Sequence, residues 1–123
     1  MTASESESVK LRLLVVEDDA IIAMELEDQL SDLGHHVLGV AGTVKQALRL
    51  VEEMAEQIDA VILDANLSGD SSYPVAEVLK ERRIRYVVAS GYEPGELRAQ
   101  GFEDPIIGKP YQSSQIEKAL LSL

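Results

Sequence analysis

The sequence lacks three features that would each point to a particular class of protein. It contains no cysteine, which excludes a disulfide framework and a catalytic thiol and favours a reducing compartment. No apolar run approaches the roughly 18 residues that a membrane span requires, so we expect a soluble, cytoplasmic protein. An excess of basic residues is missing as well, since 22 acidic and 11 basic residues give a formal charge of −11. Because this charge repels a phosphate backbone, direct binding to nucleic acid is not expected.

The chain length of 123 residues allows one folded domain with a continuous core, but not a second domain of similar size. Residues 1–8 are dominated by alternating Ser and Glu and have neither the basic start nor the apolar stretch of a secretory signal. We therefore interpret residues 1–8 as a disordered tail and residues 9–123 as the folded domain.

Short apolar runs alternate with helix-period runs along the chain, a pattern typical of repeated βα units. Because the apolar runs are hydrophobic on both faces, we expect a parallel sheet covered by helices on both sides. In such α/β sheets the ligand crevice lies at the carboxyl ends of the strands. The predicted strands cover residues 11–16, 37–41, 60–64, 86–89 and 105–107.

Capping residues predict where the helices begin and end. The fourth helix is expected to be short or weak, because residues 93–104 contain two glycines, a proline and only two large apolar side chains. The other boundaries are marked by Gly34 after the first helix, the capping-box pair Thr43 and Gln46 before the second, Pro74 in the third, and the pair Ser114 and Glu117 before the last.

Polar residues directly follow or end four of the predicted strands. They are Glu17 and Asp18 after the first strand, Asp64 at the end of the third, Ser90 after the fourth and Lys109 after the fifth. Taken singly, each has an ordinary interpretation, since acids cap helices, an aspartate initiates a turn, and a serine or lysine faces solvent. Because the carboxyl ends of parallel strands share one edge of the sheet, their joint placement instead predicts a single site.

The three acids of this set predict a metal site. Carboxylates crowded within about 4 Å repel one another by roughly 4 kcal/mol per pair at an effective dielectric of about 20, so a cation is expected among them. Oxygen ligands suit Mg²⁺, which we expect Asp18 and Asp64 to bind directly and Glu17 to bind through water. Zinc lacks its usual ligands, because His35 and His36 are adjacent and are interpreted as turn and strand-edge residues.

The remaining polar groups favour phosphoryl transfer. This chemistry needs an in-line nucleophile and positive groups around the equatorial oxygens of the phosphoryl group. Asp64 is the expected nucleophile, and Lys109 and Ser90 are expected to bind the oxygens that the metal does not. The main-chain carbonyl of Asn66 is a further candidate metal ligand.

Four ordered motifs resemble those of bacterial response-regulator receiver domains, and the resemblance covers residues 11–123. It implies a flavodoxin-like (βα)5 sheet of order 2-1-3-4-5 and a single-domain response regulator that accepts a phosphoryl group from a sensor histidine kinase. It also implies a phosphoacceptor switch that controls contacts with a downstream protein, rather than an enzyme, and a cis bond between Lys109 and Pro110. The motifs are VVEDD at 15–19, LD at 63–64, ASG at 89–91 and KPY at 109–111.

One departure from the family bears on the switch. Most receivers carry an aromatic switch residue three positions before the lysine, where this chain has Ile106. We hypothesise that Ser90 and residues 93–104 carry the signal instead. Tyr92 and Tyr111 are candidate partner contacts, or they pack around the site.

Three segments resemble the FATGUY subfamily of receivers, although Val88 and Ser90 stand where the subfamily motif has Phe and Thr. This resemblance implies a histidine kinase of the HWE or HisKA_2 type as partner. The segments are residues 64–67, 73–75 and 88–92.

Two other functions fit parts of the same pattern. A haloacid-dehalogenase-like phosphatase also uses an aspartate nucleophile and Mg²⁺, but its nucleophile normally opens the chain in an Asp-x-Asp motif, whereas here the acidic pair precedes Asp64. A phosphorylation-independent adaptor would keep the fold and lose the chemistry, but all the active-site residue types are present.

Overall fold

The computed structural model describes residues 10–91, 94–103 and 105–123. The predicted tail over residues 1–8 lies outside the described residues, as do Tyr92, Glu93 and Asp104. None of the helices within the described ranges is long and apolar enough to cross a bilayer. The main strands are β1 (Arg12–Val16), β2 (His36–Ala41), β3 (Ala60–Asp64), β4 (Arg85–Ser90) and β5 (Ile106–Gly108). The helices are α1 (Ala20–Asp32), α2 (Val44–Met54), α3 (Tyr73–Glu81), α4 (Pro94–Ala99) and α5 (Ser113–Leu121).

The main strands form one parallel sheet in the order β2-β1-β3-β4-β5, which confirms the predicted doubly wound topology. The strand order reverses beside β1, the position at which open α/β sheets bind their ligands. Val16 at the end of β1 is in register with Leu63 of β3. The residues that follow them, Glu17 and Asp64, therefore lie side by side at the carboxyl edge of the sheet.

Helices cover both faces of the sheet, and side chains along each strand alternate between the two faces. On β1, Leu13 and Val15 join a core cluster with residues of α1 and α5. Leu14 and Val16 join a second cluster with residues of α2, α3 and α4. All four side chains are fully buried, which explains why the strand is apolar at consecutive positions.

The predicted helix boundaries are confirmed at α1 and α2 but fail at α5. Gly34 follows α1 with a φ of +92°, and the Thr43 side chain accepts from the Gln46 N–H at 3.0 Å. The capping box at Ser114 is wrong, because α5 begins at Ser113 and its cap position is held by Gln112, which makes no side-chain capping hydrogen bond. The chain arrives from β5 with residue 112 in the extended conformation, so the path of the backbone overrides the local capping preference.

The fourth helix is as short as the composition predicted, with six residues in Pro94–Ala99. Leu97 within it and Phe102 after it are nevertheless buried in the core beside α2 and α3. The segment is therefore anchored by two apolar side chains rather than by its own helical length.

Candidate functional site

Three carboxylates meet at the carboxyl edge of the sheet. One oxygen from each of Glu17, Asp18 and Asp64 lies within 4.8 Å of the other two. Glu17 and Asp64 are buried, with 2% and 4% of their surface exposed, whereas Asp18 is exposed. Burial raises the pKa of Glu17, and the Asp64 charge adds to this effect, although the hydrogen bond from Lys109 opposes it.

Lys109 bridges the two buried acids. Its Nζ lies 2.7 Å from Asp64 Oδ2 and 2.9 Å from Glu17 Oε1. Burial lowers the pKa of Lys109, but its hydrogen bonds to Asp64 and Glu17 outweigh that effect and raise the pKa above its usual value. The Lys109 N–H donates to the Ser90 carbonyl at 3.2 Å, and the bond to Pro110 is cis, as the family resemblance implied.

Asp18 is held from outside the sheet by a hairpin that the sequence analysis did not predict. Asn66–Leu67 pairs with Asp70–Ser71, and the turn residues Ser68 and Gly69 have φ values of +53° and +94°, as a type I′ turn requires. The turn presents the Ser68 N–H and hydroxyl to Asp18 Oδ2 at 2.9 and 2.8 Å. Burial raises the pKa of Asp18, but these hydrogen bonds prevail and lower it below its usual value.

The backbone around Asp64 is fixed by short-range hydrogen bonds. The Ser72 hydroxyl donates to the Asp64 carbonyl, and the Asn66 N–H donates to Asp64 Oδ1 at 3.1 Å. The Asn66 side chain accepts from the Gly69 N–H at 2.9 Å and so belongs to the hairpin. Asp19, the third acid of the run after β1, accepts from two backbone N–H groups of α1 and acts as its N-cap.

Ser90 and Ile106, the residues assigned to the switch, lie on neighbouring strands. Ser90 is buried at the end of β4, beside the strand that carries Asp64. Ile106 is half-buried at the start of β5, in register with Val88, and packs against the core of α2, α3 and α4.

Tyr111 joins the site, whereas its sequence context indicated only a partner contact or packing around the site. Its hydroxyl donates to Glu17 Oε1 at 3.2 Å, and its ring centroid lies 5.9 Å from Lys109 Nζ. Burial and the nearby Glu17 and Asp64 charges raise the pKa of Tyr111. Its place directly after the Lys-Pro pair was the available signal. Tyr92 lies outside the described residues.

The donor set fits a hard divalent cation. The cluster offers carboxylate oxygens, the ligands that Mg²⁺ prefers, and one ammonium group does not neutralise three carboxylates. The exposed Asp18 carboxylate gives the cluster an open side towards solvent. The chemistry and the placement of these acids are thus compatible with Mg²⁺.

Comparison with known proteins places this chain in a family. Residues 13–121 match the response regulator receiver domain. The phyllosphere-induced regulator PhyR of Methylorubrum extorquens is 29% identical over 111 residues, which cover 88% of this chain and 41% of PhyR. The transcriptional regulatory protein PdtaR of Mycobacterium tuberculosis is 30% identical over 87 residues, which cover 71% of this chain and 42% of PdtaR. This chain therefore spans less than half the length of these curated relatives.

Solved structures agree with that match. The solution structure of SdrG from Sphingomonas melonis Fr1 superposes with a TM-score of 0.79 at 39% identity and covers 92% of this chain and 95% of SdrG. The crystal structure of PhyR from Brucella abortus gives a TM-score of 0.77 at 32% identity and covers 98% of this chain and 50% of PhyR. The chain belongs to the response-regulator receiver domains.

Proposed function

We propose that this chain is the receiver domain of a response regulator, in which Asp64 accepts a phosphoryl group from a sensor histidine kinase in the cytoplasm. The observation that carries the proposal is the buried Asp64 carboxylate, whose Oδ2 lies 2.7 Å from the Lys109 ammonium at the edge of the sheet. An acid at a ligand-binding edge, beside a cation and two further acids, is suited to receive an anionic group with a metal ion. Residues 9–123 would form the receiver domain.

In the transfer step, a carboxylate oxygen of Asp64 attacks the phosphorus of a phosphohistidine. A P–O bond forms while the P–N bond breaks, and the imidazole nitrogen that leaves takes a proton from solvent, so that the imidazole departs neutral. Bound Mg²⁺, held by Asp18 and Asp64 directly, by Glu17 through water and by the main-chain carbonyl of Asn66, would neutralise charge on a phosphoryl oxygen. Hydrolysis of the acyl phosphate later restores Asp64, so the chain acts as a switch rather than as an enzyme with an external substrate.

Lys109 and Ser90 would bind the phosphoryl oxygens that the metal does not contact. Lys109 already contacts Asp64, and its flexible side chain allows the ammonium to follow the new anion. Ser90 ends the strand next to β3 and offers a hydroxyl, which donates a hydrogen bond without adding charge.

We assign the conformational switch to Ser90 and the α4 segment, because Ile106 holds the position of the usual aromatic switch residue. Ile106 has no ring to rotate, whereas α4 is a six-residue helix, far below the roughly 12 residues at which helices become stable alone. Amide hydrogen exchange with and without beryllofluoride, a phosphoryl mimic, tests this assignment. Exchange in α4 should change by about tenfold or more while β3 stays constant; unchanged exchange in α4 would refute the assignment.

The partner is proposed to be a kinase of the HWE or HisKA_2 type, with a downstream protein whose binding depends on phosphorylation. The similarity to SdrG supports control by phosphorylation, because a second solution structure of SdrG, 39% identical to this chain, is described as the BeF3-activated conformation. The formal charge of −11 favours protein contacts over nucleic acid.

The decisive experiment incubates the chain with Mg²⁺ and a small phosphodonor and follows it on a phosphate-affinity gel. Wild type should acquire one hydroxylamine-labile phosphoryl group, and Asp64→Asn should acquire none. The matched control is Asp70→Asn, which removes an exposed acid from the nearby hairpin and should be modified like wild type.

Each other outcome argues against the proposal in its own way. Wild type that is never modified would indicate a phosphorylation-independent adaptor. Modification that survives Asp64→Asn would place the phosphoacceptor elsewhere. Sustained turnover of a phosphomonoester would indicate a phosphatase of the haloacid-dehalogenase type.

A further inference from the structure

The Glu17 carboxylate has three hydrogen-bond donors of different kinds. Its Oε1 accepts from the Lys109 ammonium at 2.9 Å and from the Tyr111 hydroxyl at 3.2 Å. Its Oε2 accepts from the Asp19 N–H at 3.2 Å. The Glu17 side chain is only 1% exposed, so, apart from the metal-bound water proposed above, water does not replace a donor that leaves.

One of these donors has to move if the proposed function is correct. The Lys109 ammonium lies between Glu17 and Asp64, and it would turn towards the phosphoryl oxygens once Asp64 is modified. Glu17 would then lose the one charged donor that it has among the described residues. A buried carboxylate short of donors is costly, so the two donors that stay become more important in the phosphorylated state.

Tyr111 is fixed well enough to stay. Its main-chain carbonyl accepts from Gln29 Nε2 at 3.2 Å, which ties it to α1, and its ring packs against the core between the sheet, α1 and α5. A phenol is protonated near neutral pH, so its hydroxyl donates to Glu17. Being neutral, it is not drawn towards the incoming anion as the lysine is.

We infer that Tyr111 is a positioning residue, whose hydroxyl holds Glu17 in place when Lys109 leaves that carboxylate for the phosphoryl group. This inference rests on the proposed function, since it requires Lys109 to follow the phosphoryl group. It predicts that the hydroxyl contributes little to binding of Mg²⁺ alone, because Lys109 is then still at Glu17. The contribution should appear when beryllofluoride occupies Asp64.

The variant Tyr111→Phe tests this, because it keeps the ring and removes only the hydroxyl. Calorimetry measures the dissociation constants for Mg²⁺ alone and for beryllofluoride at saturating Mg²⁺. The beryllofluoride constant should rise about three- to tenfold, and the Mg²⁺ constant should change less than about twofold. The control Tyr86→Phe removes the hydroxyl of a buried tyrosine at the second position of β4, at the opposite end of that strand from Ser90, and it should change neither constant.

The outcomes separate this inference from the function on which it rests. Equal beryllofluoride binding by wild type and Tyr111→Phe would overturn the inference and leave the proposed function intact. An equal loss of Mg²⁺ and beryllofluoride affinity would also overturn it, because the hydroxyl would then serve the metal site at every stage. Wild type that fails to bind beryllofluoride would overturn the proposed function and the inference together. Thermal unfolding of both variants verifies that they are folded.

Discussion

The buried acids of the site and the lysine and tyrosine that contact them lie on strands that differ in how many neighbouring strands they pair with. Glu17 and Asp64 follow or end β1 and β3, each of which is paired on both sides. Lys109 and Tyr111 follow β5, a three-residue strand at the end of the sheet whose pairing within the described residues is with β4. Glu17 and Asp64 are therefore fixed by the centre of the sheet, whereas Lys109, which would turn towards a phosphoryl group, follows an edge strand.

The same contrast extends to the helices. The acidic side is backed by α1, with 13 residues and an aspartate cap. The donor side is preceded by α4, with six residues, which depends on Leu97 and Phe102 for its anchorage. If Asp64 is the phosphoacceptor, we expect the signal to appear in α4, because a helix of six residues has little stability of its own.

The largest effect that tests this contrast is the loss of the bridging cation. Lys109→Met leaves Glu17 and Asp64 buried without their ammonium, and we expect it to lower the free energy of unfolding by about 3 kcal/mol at neutral pH without Mg²⁺. The loss should grow as pH rises. Burial raises the pKa of Glu17, so the folded state keeps a proton at a pH where the unfolded chain has released it, and stability falls as pH rises through the folded pKa. Urea unfolding at several pH values measures both effects.

Two control variants show how much of the stability loss in Lys109→Met comes from the unpaired acids. Asp64→Asn removes one acid and leaves Lys109 paired with Glu17, so it should cost far less than Lys109→Met. Lys80→Met removes a lysine from a surface pair with Glu103 and should cost less than about 1 kcal/mol. Equal losses in Lys109→Met and Lys80→Met would show that the bridge contributes no more than a surface pair.

The contrast also explains which parts of the site were predictable. Asp64 could be found from the sequence because it ends an apolar run, and the parallel topology then determines its neighbours. The contacts of Ser68 with Asp18 and of Tyr111 with Glu17 could not be predicted, because their partners lie 50 and 94 residues away and the contacts depend on side-chain direction. Ser114 shows the opposite failure, since its local pattern indicates a cap that the route of the backbone from β5 does not allow.

The next effect concerns the two glycines of the segment around α4. Gly101 has a φ of +105°, and a Cβ there would lie 2.7 Å from the Tyr73 ring, so Gly101→Ala should lower stability by about 2 kcal/mol. Gly95 lies within α4, and a Cβ there would meet nothing within 4 Å, so Gly95→Ala should stabilise the helix by about 0.5–1 kcal/mol.

Thermal unfolding and hydrogen exchange separate the two variants. Gly95→Ala should slow exchange in α4 without changing exchange in β3, because it acts on a locally weak helix. Slower exchange throughout the chain would mean that α4 opens only when the whole fold opens. In that case α4 would not be less stable than the strands that carry the acids.

The smallest effect lies on the well-supported side, at the start of β1. His35 Nδ1 accepts from the Leu11 N–H at 3.1 Å, which a protonated Nδ1 cannot do. Burial lowers the pKa of His35, although the Glu117 charge opposes this. The unfolded chain therefore takes up the proton more readily than the folded chain. The stability that neutral His35 contributes is lost as pH falls below the histidine pKa of the unfolded chain, about 6.5. We expect about 1 kcal/mol less stability at about pH 5.5 than at about pH 8. His35→Gln should remove this loss of stability at low pH, as measured by urea unfolding. His36→Gln, at an exposed position, should keep it. The same pH dependence in both variants would show that the hydrogen bond does not anchor β1.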